Sequence, residues 1–424
     1  MLRTARDAST QRAEREVALA SEGSRTVGVP RESAAGERRV ALTPQGVATL
    51  AGRGFDVALE RGAGETAGYP DSTYAEKGAR LVADGEQARA SDVLLVVRGS
   101  SLGGAARDGQ ILIGLFDPLS PSDALRRLVE AGASIFALEL LPRITRAQPM
   151  DALSSQATVA GYEAVILAAR TAWKLFPKLT TAAGTIAPVR VFVVGVGVAG
   201  LQAIATARRL GAVVEAYDVR PAVREQVLSV GARFVELPLE AGEAEGAGGY
   251  ARAMDESFYR RQRETMARVV AASDVVITTA AVPGSRAPVL ITADMLAAMA
   301  PGSVVVDLVA AQGGNCELTR PDETVVAGGV TVLGPTNLAA GAPFHASQMY
   351  SRNVSSFLLH LAHDRRVQID VEDEITRETL VARDGQVVHA RVREAVGLDA
   401  AASKAEPPPA ATPEPEPPDE RKEA

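Results

Sequence analysis

The run Arg190-Val-Phe-Val-Val leads directly into Gly195-Val-Gly197-Val-Ala-Gly200. A helical pattern follows from Gly200 to Leu210. Then comes Val213-Val-Glu-Ala-Tyr-Asp218, a strand ending on an acid 18 residues after Gly200. Alone, G-x-G-x-x-G says little. Between a strand and a helix, with an acid at the next strand end, it describes a site for phosphates and a ribose. Gly195 permits the tight turn, Gly197 lets backbone approach a pyrophosphate, and Gly200 lets the helix pack closely on the strand. The helix N-terminus offers free N–H groups and partial positive charge to the phosphates. Asp218 can accept hydrogen bonds from both ribose hydroxyls and would repel a 2′-phosphate. The expected ligand is therefore NAD(H) rather than NADP(H). Arg220, two residues on, is the group that would receive such a phosphate, and the acid outweighs it. Gly99-Ser-Ser-Leu-Gly103-Gly104 lacks the fingerprint spacing, so no second dinucleotide site is expected.

Such a cofactor carries hydride chemistry, and the protein has to position its nicotinamide. Arg143-Ile-Thr-Arg146-Ala-Gln148-Pro-Met-Asp151-Ala-Leu-Ser154 gathers groups that can hold a carboxamide and a ribose. Asp151 or Ser154 equally suits the N-cap of the helical stretch that follows. Spacing does not choose between the two roles.

The elements around these loops alternate. Thr26 to Pro30, Asp56 to Glu60, Asp92 to Val97, Gln110 to Leu115 and Ser134 to Leu138 read as strands, with helical patterns at Val47 to Arg53 and Pro121 to Gly132. A helix from Ser154 to Phe176, containing Trp173, leads into a second α/β run. The expectation is an α/β fold of two Rossmann-like, doubly wound parallel-sheet subdomains with a nucleotide cleft between them. The first takes residues 25–155 and 335–395, the chain returning through a helix from Gln348 to Asp364. The second takes residues 156–334 and contains a glycine-rich insertion, 236–263, that composition leaves open as a lid or a disordered loop. Residues 1–24 read as a disordered N-terminal extension. Residues 396–424 read as a Pro/Ala/Glu-rich disordered tail, since Ala401 to Ala424 holds seven prolines and five glutamates.

Composition removes several classes. Lys and Arg number 45 against 52 Asp and Glu, a net charge of -7 that argues against a general nucleic-acid binder. One cysteine, Cys316, excludes an intrachain disulfide framework. With four histidines, of which His360 and His363 share a helix face, a zinc site is not expected. No run of about 20 apolar residues is present to span a membrane. The first residues lack the apolar core of a signal peptide. A cytoplasmic chain is expected.

Several long segments resemble the NAD-binding domain I of proton-translocating NAD(P) transhydrogenases. They are RITRAQPMDALSSQ from Arg143, GVGVAGLQAIATARRLGAVVEAYDVRP from Gly195, GGYARAM from Gly248, TTAAVPGSRAPVLIT from Thr278 and SVVVDLVAAQGGNCE from Ser303. The likeness spans roughly residues 25 to 390. It implies hydride transfer between NAD(H) on this chain and NADP(H) on a partner beta subunit, coupled to proton movement by a membrane-embedded subunit. It implies a homodimer, held at the inner membrane through those partners and active only with them. It places nicotinamide positioning on Arg143, Gln148, Asp151 and Ser154, and cofactor binding on Gly195, Gly197, Val198, Ala199, Gly200, Asp218, Val219, Arg220, Tyr250 and Ala281. Tyr250 matches that family's mobile-loop tyrosine, which favours the lid reading. With no membrane helix and no second nucleotide site, the chain looks like a separate soluble subunit that neither pumps protons nor binds NADP itself.

The alternative is a stand-alone amino-acid dehydrogenase resembling alanine dehydrogenase, which shares the opening Gly28-Val-Pro-Arg-Glu32 through Glu37-Arg-Arg39-Val-Ala-Leu-Thr-Pro44. Arg39 matches that family's substrate arginine. Its lysine falls at Arg98 and its histidine at Asp117, which leaves keto-acid chemistry without its acid/base.

Overall fold

The runs Val93–Val97 and Val304–Val306 are buried at every residue. That is what strands covered on both faces by helices require. The computed structural model describes residues 26–236 and 256–398, apart from 121, 283, 364, 365 and 397.

In the first sheet, β1 (Thr26–Val29), β2 (Asp56–Glu60), β3 (Arg80–Val82), β4 (Val93–Arg98), β5 (Ile111–Leu115) and β6 (Ser134–Ala137) lie parallel in the order 3-2-1-4-5-6. A separate exposed hairpin follows, β7 (Leu179–Thr181) with β8 (Gly184–Ile186). The second sheet repeats the winding with β9 (Arg190–Val194), β10 (Val213–Tyr217), β11 (Arg233–Phe234), β12 (Val275–Thr278), β13 (Val304–Asp307), β14 (Thr324–Ala327) and β15 (Val330–Leu333). Its order is β11-β10-β9-β12-β13-β15-β14, and β14 is antiparallel. After a small pair, β16 (Ala362–His363) with β17 (Arg366–Val367), the chain rejoins the first sheet through β18 (Leu380–Arg383) and β19 (Gln386–Val387). These last two are antiparallel, β18 pairing with β6. The architecture is α/β, two doubly wound lobes dominated by parallel strands, with antiparallel strands added at sheet edges.

Two long helices tie the lobes together. Ala152–Thr171 leaves the first lobe and enters the second. Pro343–Leu361 returns and buries Tyr350, Val354, Phe357 and Leu358 in the first core. Ser347 and Ser351 of that helix accept hydrogen bonds from the backbone N–H groups of Val40 and Thr43, at 3.0 Å each. Tyr350 donates to the Val96 carbonyl at 2.7 Å.

Some element bounds differ from the sequence expectation. The connecting helix ends at Thr171, where Ala172 turns extended, so Trp173 lies beyond it. The Trp173 ring lies over Gly302, whose added Cβ would meet it at 2.6 Å. The returning helix starts at Pro343, five residues before the expected Gln348, because proline suits a first helical turn where its missing N–H costs nothing. Part of the expected insertion is regular, with a helix at Glu256–Ala271. Tyr250 lies outside the described residues, as do Gly242, Gly246, Gly248 and Gly249.

Candidate functional site

Doubly wound sheets open a crevice where the strand order reverses. In the second sheet that point lies between β9 and β12, and the glycine loop leaves β9 there. Gly195 has φ +93°, a left-handed backbone that suits glycine. A Cβ on Gly200 would stand 2.0 Å from the Gly195 carbonyl oxygen, so this helix can approach the turn only as glycine. At Gly197 a Cβ would meet nothing within 4 Å, and the residue is exposed. It borders open space rather than packing. The helix Val198–Arg209 begins with Gly197 as its cap and no side-chain capping bond. Its first N–H groups are therefore available to an anion. Ala199 is half-buried and Val198 exposed at this mouth.

Asp218 is buried where β10 ends. Its Oδ2 accepts the Val196 N–H at 2.7 Å, which ties the acid to the glycine loop. Its other contacts come from Arg220, whose backbone N–H and guanidinium both turn onto the carboxylate. Val219 and Arg220 are half-buried.

Across the crevice, Thr279 donates to the Gly195 carbonyl at 2.9 Å. Ala281 is half-buried in the loop beyond β12. Asn315 holds that loop: its side chain accepts from the Ala280 N–H at 2.9 Å and donates to the carbonyls of Ala280 and Pro288 at 2.9 and 2.8 Å. The sequence reading does not single out this fully buried amide. Its signal is a polar residue between two glycines and a cysteine, which composition cannot distinguish from a surface turn. Gly284 of the same loop reaches the first lobe, where an added Cβ would lie 3.3 Å from Leu119.

The segment Arg143 to Ser154 sits where the first lobe hands over to the connecting helix. Thr145–Met150 is a short 3-10 turn, with Ala147 and Met150 buried beneath it and Arg143 and Gln148 exposed. Asp151 caps the connecting helix, accepting the Ser154 N–H at 2.8 Å and the Ser154 hydroxyl at 2.6 Å. The two candidate residues are thus joined in a cap, the more ordinary of the roles the sequence allows them. Two further groups fasten this turn. Asn353 donates to the Pro149 carbonyl at 2.9 Å and accepts from Ser155 at 2.7 Å. Arg146 pairs with Asp373 at 2.5 Å. Burial would raise the Asp373 carboxyl, but the Thr376 N–H, Arg146 and His360 together hold it well below the usual carboxylate range. His360 is thus engaged with Asp373 at 2.9 Å.

The matching crevice of the first lobe, between β1 and β4, is filled by protein. Glu32 accepts from the N–H groups of Val97 and Arg98 at 2.5 and 3.2 Å and from the Ser101 hydroxyl at 2.5 Å. Burial pushes its carboxyl up to about 7. Arg39 is also consumed internally. It binds both oxygens of Glu37 at 2.8 and 2.7 Å, Gln156 at 2.8 Å and Asn337 at 3.2 Å. Burial raises the Glu37 carboxyl, but hydrogen bonds and charge from Arg39, with Asn337, bring it below its ordinary value.

Two doubly wound lobes, with a single glycine loop at one switch point and a turn of polar groups at the junction, define a two-lobed nucleotide-binding protein of the Rossmann class. Family models described as "Alanine dehydrogenase/PNT, N-terminal domain" and "Alanine dehydrogenase/PNT, C-terminal domain" match residues 28–160 and 164–390. The chain belongs to the alanine dehydrogenase/PNT family. It is 43% identical over 374 residues to an NAD(P) transhydrogenase alpha subunit of Rhodospirillum rubrum, covering 86% of this chain and 97% of that one. The crystal structure of a transhydrogenase from Sinorhizobium meliloti is 42% identical, with TM-score 0.76, covering 86% of this chain and 100% of that one. An alanine dehydrogenase of Halomonas elongata is 31% identical over 394 residues, covering 88% of this chain and 97% of that one.

Proposed function

We propose that this chain is the NAD(H)-binding subunit of a proton-translocating NAD(P)+ transhydrogenase. It exchanges hydride directly with NADP(H) held on a beta subunit, and a membrane-embedded subunit couples the exchange to proton movement. The observation that carries the reading is the near full-length match to a transhydrogenase alpha subunit at 43% identity, against 31% for an alanine dehydrogenase.

The chemistry of the cleft supports it. Bound NAD(H) supplies the hydride, and transfer between two nicotinamides requires approach to about 3–3.5 Å with water excluded, not a proton donor. Residues 195–200 and Asp218 suit the phosphates and ribose, with Val219, Arg220 and Ala281 beside them. Arg143, Gln148, Asp151 and Ser154 orient the nicotinamide, and Tyr250 closes over the nucleotide. An alanine dehydrogenase would need an arginine open to substrate and an acid/base. Arg39 is committed to Glu37, Gln156 and Asn337, and Asp117 stands where that family has histidine.

The chain works as a homodimer. Leu179 and Ile186 stand 37% and 46% exposed on the β7–β8 hairpin, apolar surface suited to a second copy. No described helix is long and apolar enough to cross a membrane, and the partner subunits hold this cytoplasmic chain at the inner membrane.

The test is hydride transfer from NADH to a thio-analogue of NADP, with the purified chain alone and mixed with an NADP-binding transhydrogenase domain. Activity only in the mixture supports the reading. Alanine-dependent reduction of NAD by the chain alone would replace it with the dehydrogenase.

A further inference from the structure

Asp218 makes four hydrogen bonds. Two come from backbone, the Val196 N–H to Oδ2 at 2.7 Å and the Arg220 N–H to Oδ1 at 2.8 Å. The Arg220 guanidinium makes the other two, Nε to Oδ1 at 2.9 Å and Nη2 to Oδ2 at 2.8 Å. A carboxylate offers about four lone-pair positions. The guanidinium therefore takes both positions that the backbone leaves. Nη2 also reaches the Val196 carbonyl at 3.3 Å, which turns the arginine back over the glycine loop. The pair is well shielded, with side chains 15% and 5% exposed. A planar, bidentate pair of this kind is among the stronger charge-assisted contacts.

We propose that Arg220 is an internal occupant of the ribose seat, and that its exchange with the ribose diol sets both nucleotide affinity and the choice between NAD(H) and NADP(H). The proposal rests on the dinucleotide reading of this crevice. A ribose diol brings two O–H donors to the two positions the guanidinium vacates, so the carboxylate stays satisfied. A 2′-phosphate brings acceptor oxygens in place of one donor. It can recruit Arg220 only by stripping Asp218 of its cation, and it then lies against a bare carboxylate. The same pair thus delays the right nucleotide and rejects the wrong one.

NADH and NADPH binding, read by nicotinamide fluorescence on the full chain, tests this with R220M, R220K, D218N and the double variant D218N/R220M. Methionine keeps bulk and removes every donor. Lysine keeps the charge but cannot span both oxygens. If the paired arrangement leaves about a tenth of molecules competent, R220M binds NADH about tenfold tighter. R220K falls between R220M and the unaltered chain, and NADPH stays weak in both. D218N frees the guanidinium and gains NADPH affinity, and D218N/R220M loses that gain. NADH binding that is weaker or unchanged in both R220M and R220K overturns the proposal. So does an NADPH gain in D218N that survives removal of Arg220. If the unaltered chain itself fails to bind NADH, the dinucleotide reading falls instead, which keeps the two failures distinct.

Discussion

A Cβ built on Gly161 would stand 2.1 Å from the carbonyl oxygen of Ala199. The connecting helix and the first turn of the glycine-loop helix therefore meet backbone to backbone. Asp151 caps the N-terminal end of that same connecting helix. The turn that carries Gln148 and the loop that carries Gly197 are thus joined through one rigid element.

This contact makes a prediction against propensity. Within a helix, Gly→Ala is ordinarily favourable by about 1 kcal/mol. At Gly161 the added methyl has to push two helices apart, and overpacking costs about 1–3 kcal/mol. Gly161→Ala should lower the melting temperature and weaken NADH binding together. A variant that melts higher than the unaltered chain would show that the close approach is not a constraint.

Asn315 makes the loop after β12 rigid. Asn315→Leu keeps the volume but leaves the Ala280 N–H and the carbonyls of Ala280 and Pro288 without their partner. Each orphaned buried group costs about 1–3 kcal/mol. A loss of several kcal/mol in urea unfolding is expected, with weaker nucleotide binding. Retained stability would mean that backbone shifts or water satisfy those groups.

How much of this is legible in the sequence depends on how local each device is. The glycine loop and Asp218 are readable because a turn, a helix start and a strand end lie within one short stretch of chain. The β18–β19 hairpin carries a local signal too, although the sequence reading assigns no strands there. Asp384-Gly385, both at positive φ, is a dipeptide suited to a tight hairpin turn. The edge strand β14 alternates exposed and half-buried residues, so its short run lacks the apolar signal of the central strands. Asn315, Asn353 and the Arg39–Glu37–Gln156 cluster cannot be read. Their partners lie far away in sequence, and a buried amide has no periodicity. The Arg220–Asp218 pair lies in view, two residues apart, yet spacing offers Arg220 only as a phosphate receptor.

Burial of Glu139 gives a pH dependence whose sign can be stated. Burial first, then the nearby Asp117 carboxylate, lift its carboxyl from 4.5 to about 7 against the hydrogen bonds it accepts. Oε1 accepts the Asp117 N–H at 2.6 Å, while Oε2 is buried without a partner. The folded chain thus binds this proton more tightly than the unfolded chain. Stability falls as pH rises from about 4.5 to about 7, and the loss is complete above that window. Glu139→Gln keeps an acceptor for Asp117 and removes the charge. It should gain roughly 3 kcal/mol at pH 8 and nothing at pH 4, since each tenfold difference in proton affinity between the folded and unfolded chains is worth about 1.4 kcal/mol. Glu32 titrates in the same window with the same sign, so the comparison is with the unaltered chain at each pH. An equal effect at both pH values would assign the change to packing instead.

Gln148 separates positioning from binding. Asp151 is unsuitable for that purpose, because it caps the connecting helix and its removal costs about 0.5–2 kcal/mol of stability. Gln148 is exposed, and surface substitutions usually stay within about 0.5 kcal/mol. Gln148→Asn keeps the amide and withdraws it by one methylene. If the amide fixes the nicotinamide, its retreat leaves the ring free to tilt, and a misplacement of about 1 Å can cost about 100-fold in rate. Phosphate and ribose contacts at the other end of the cleft are untouched. Stopped-flow transfer to the NADP analogue in the reconstituted mixture should therefore slow at least tenfold, on the order of 1.4 kcal/mol of barrier, while NADH affinity changes little. Equal losses in rate and affinity would make Gln148 an ordinary binding contact and move the positioning role to Arg143.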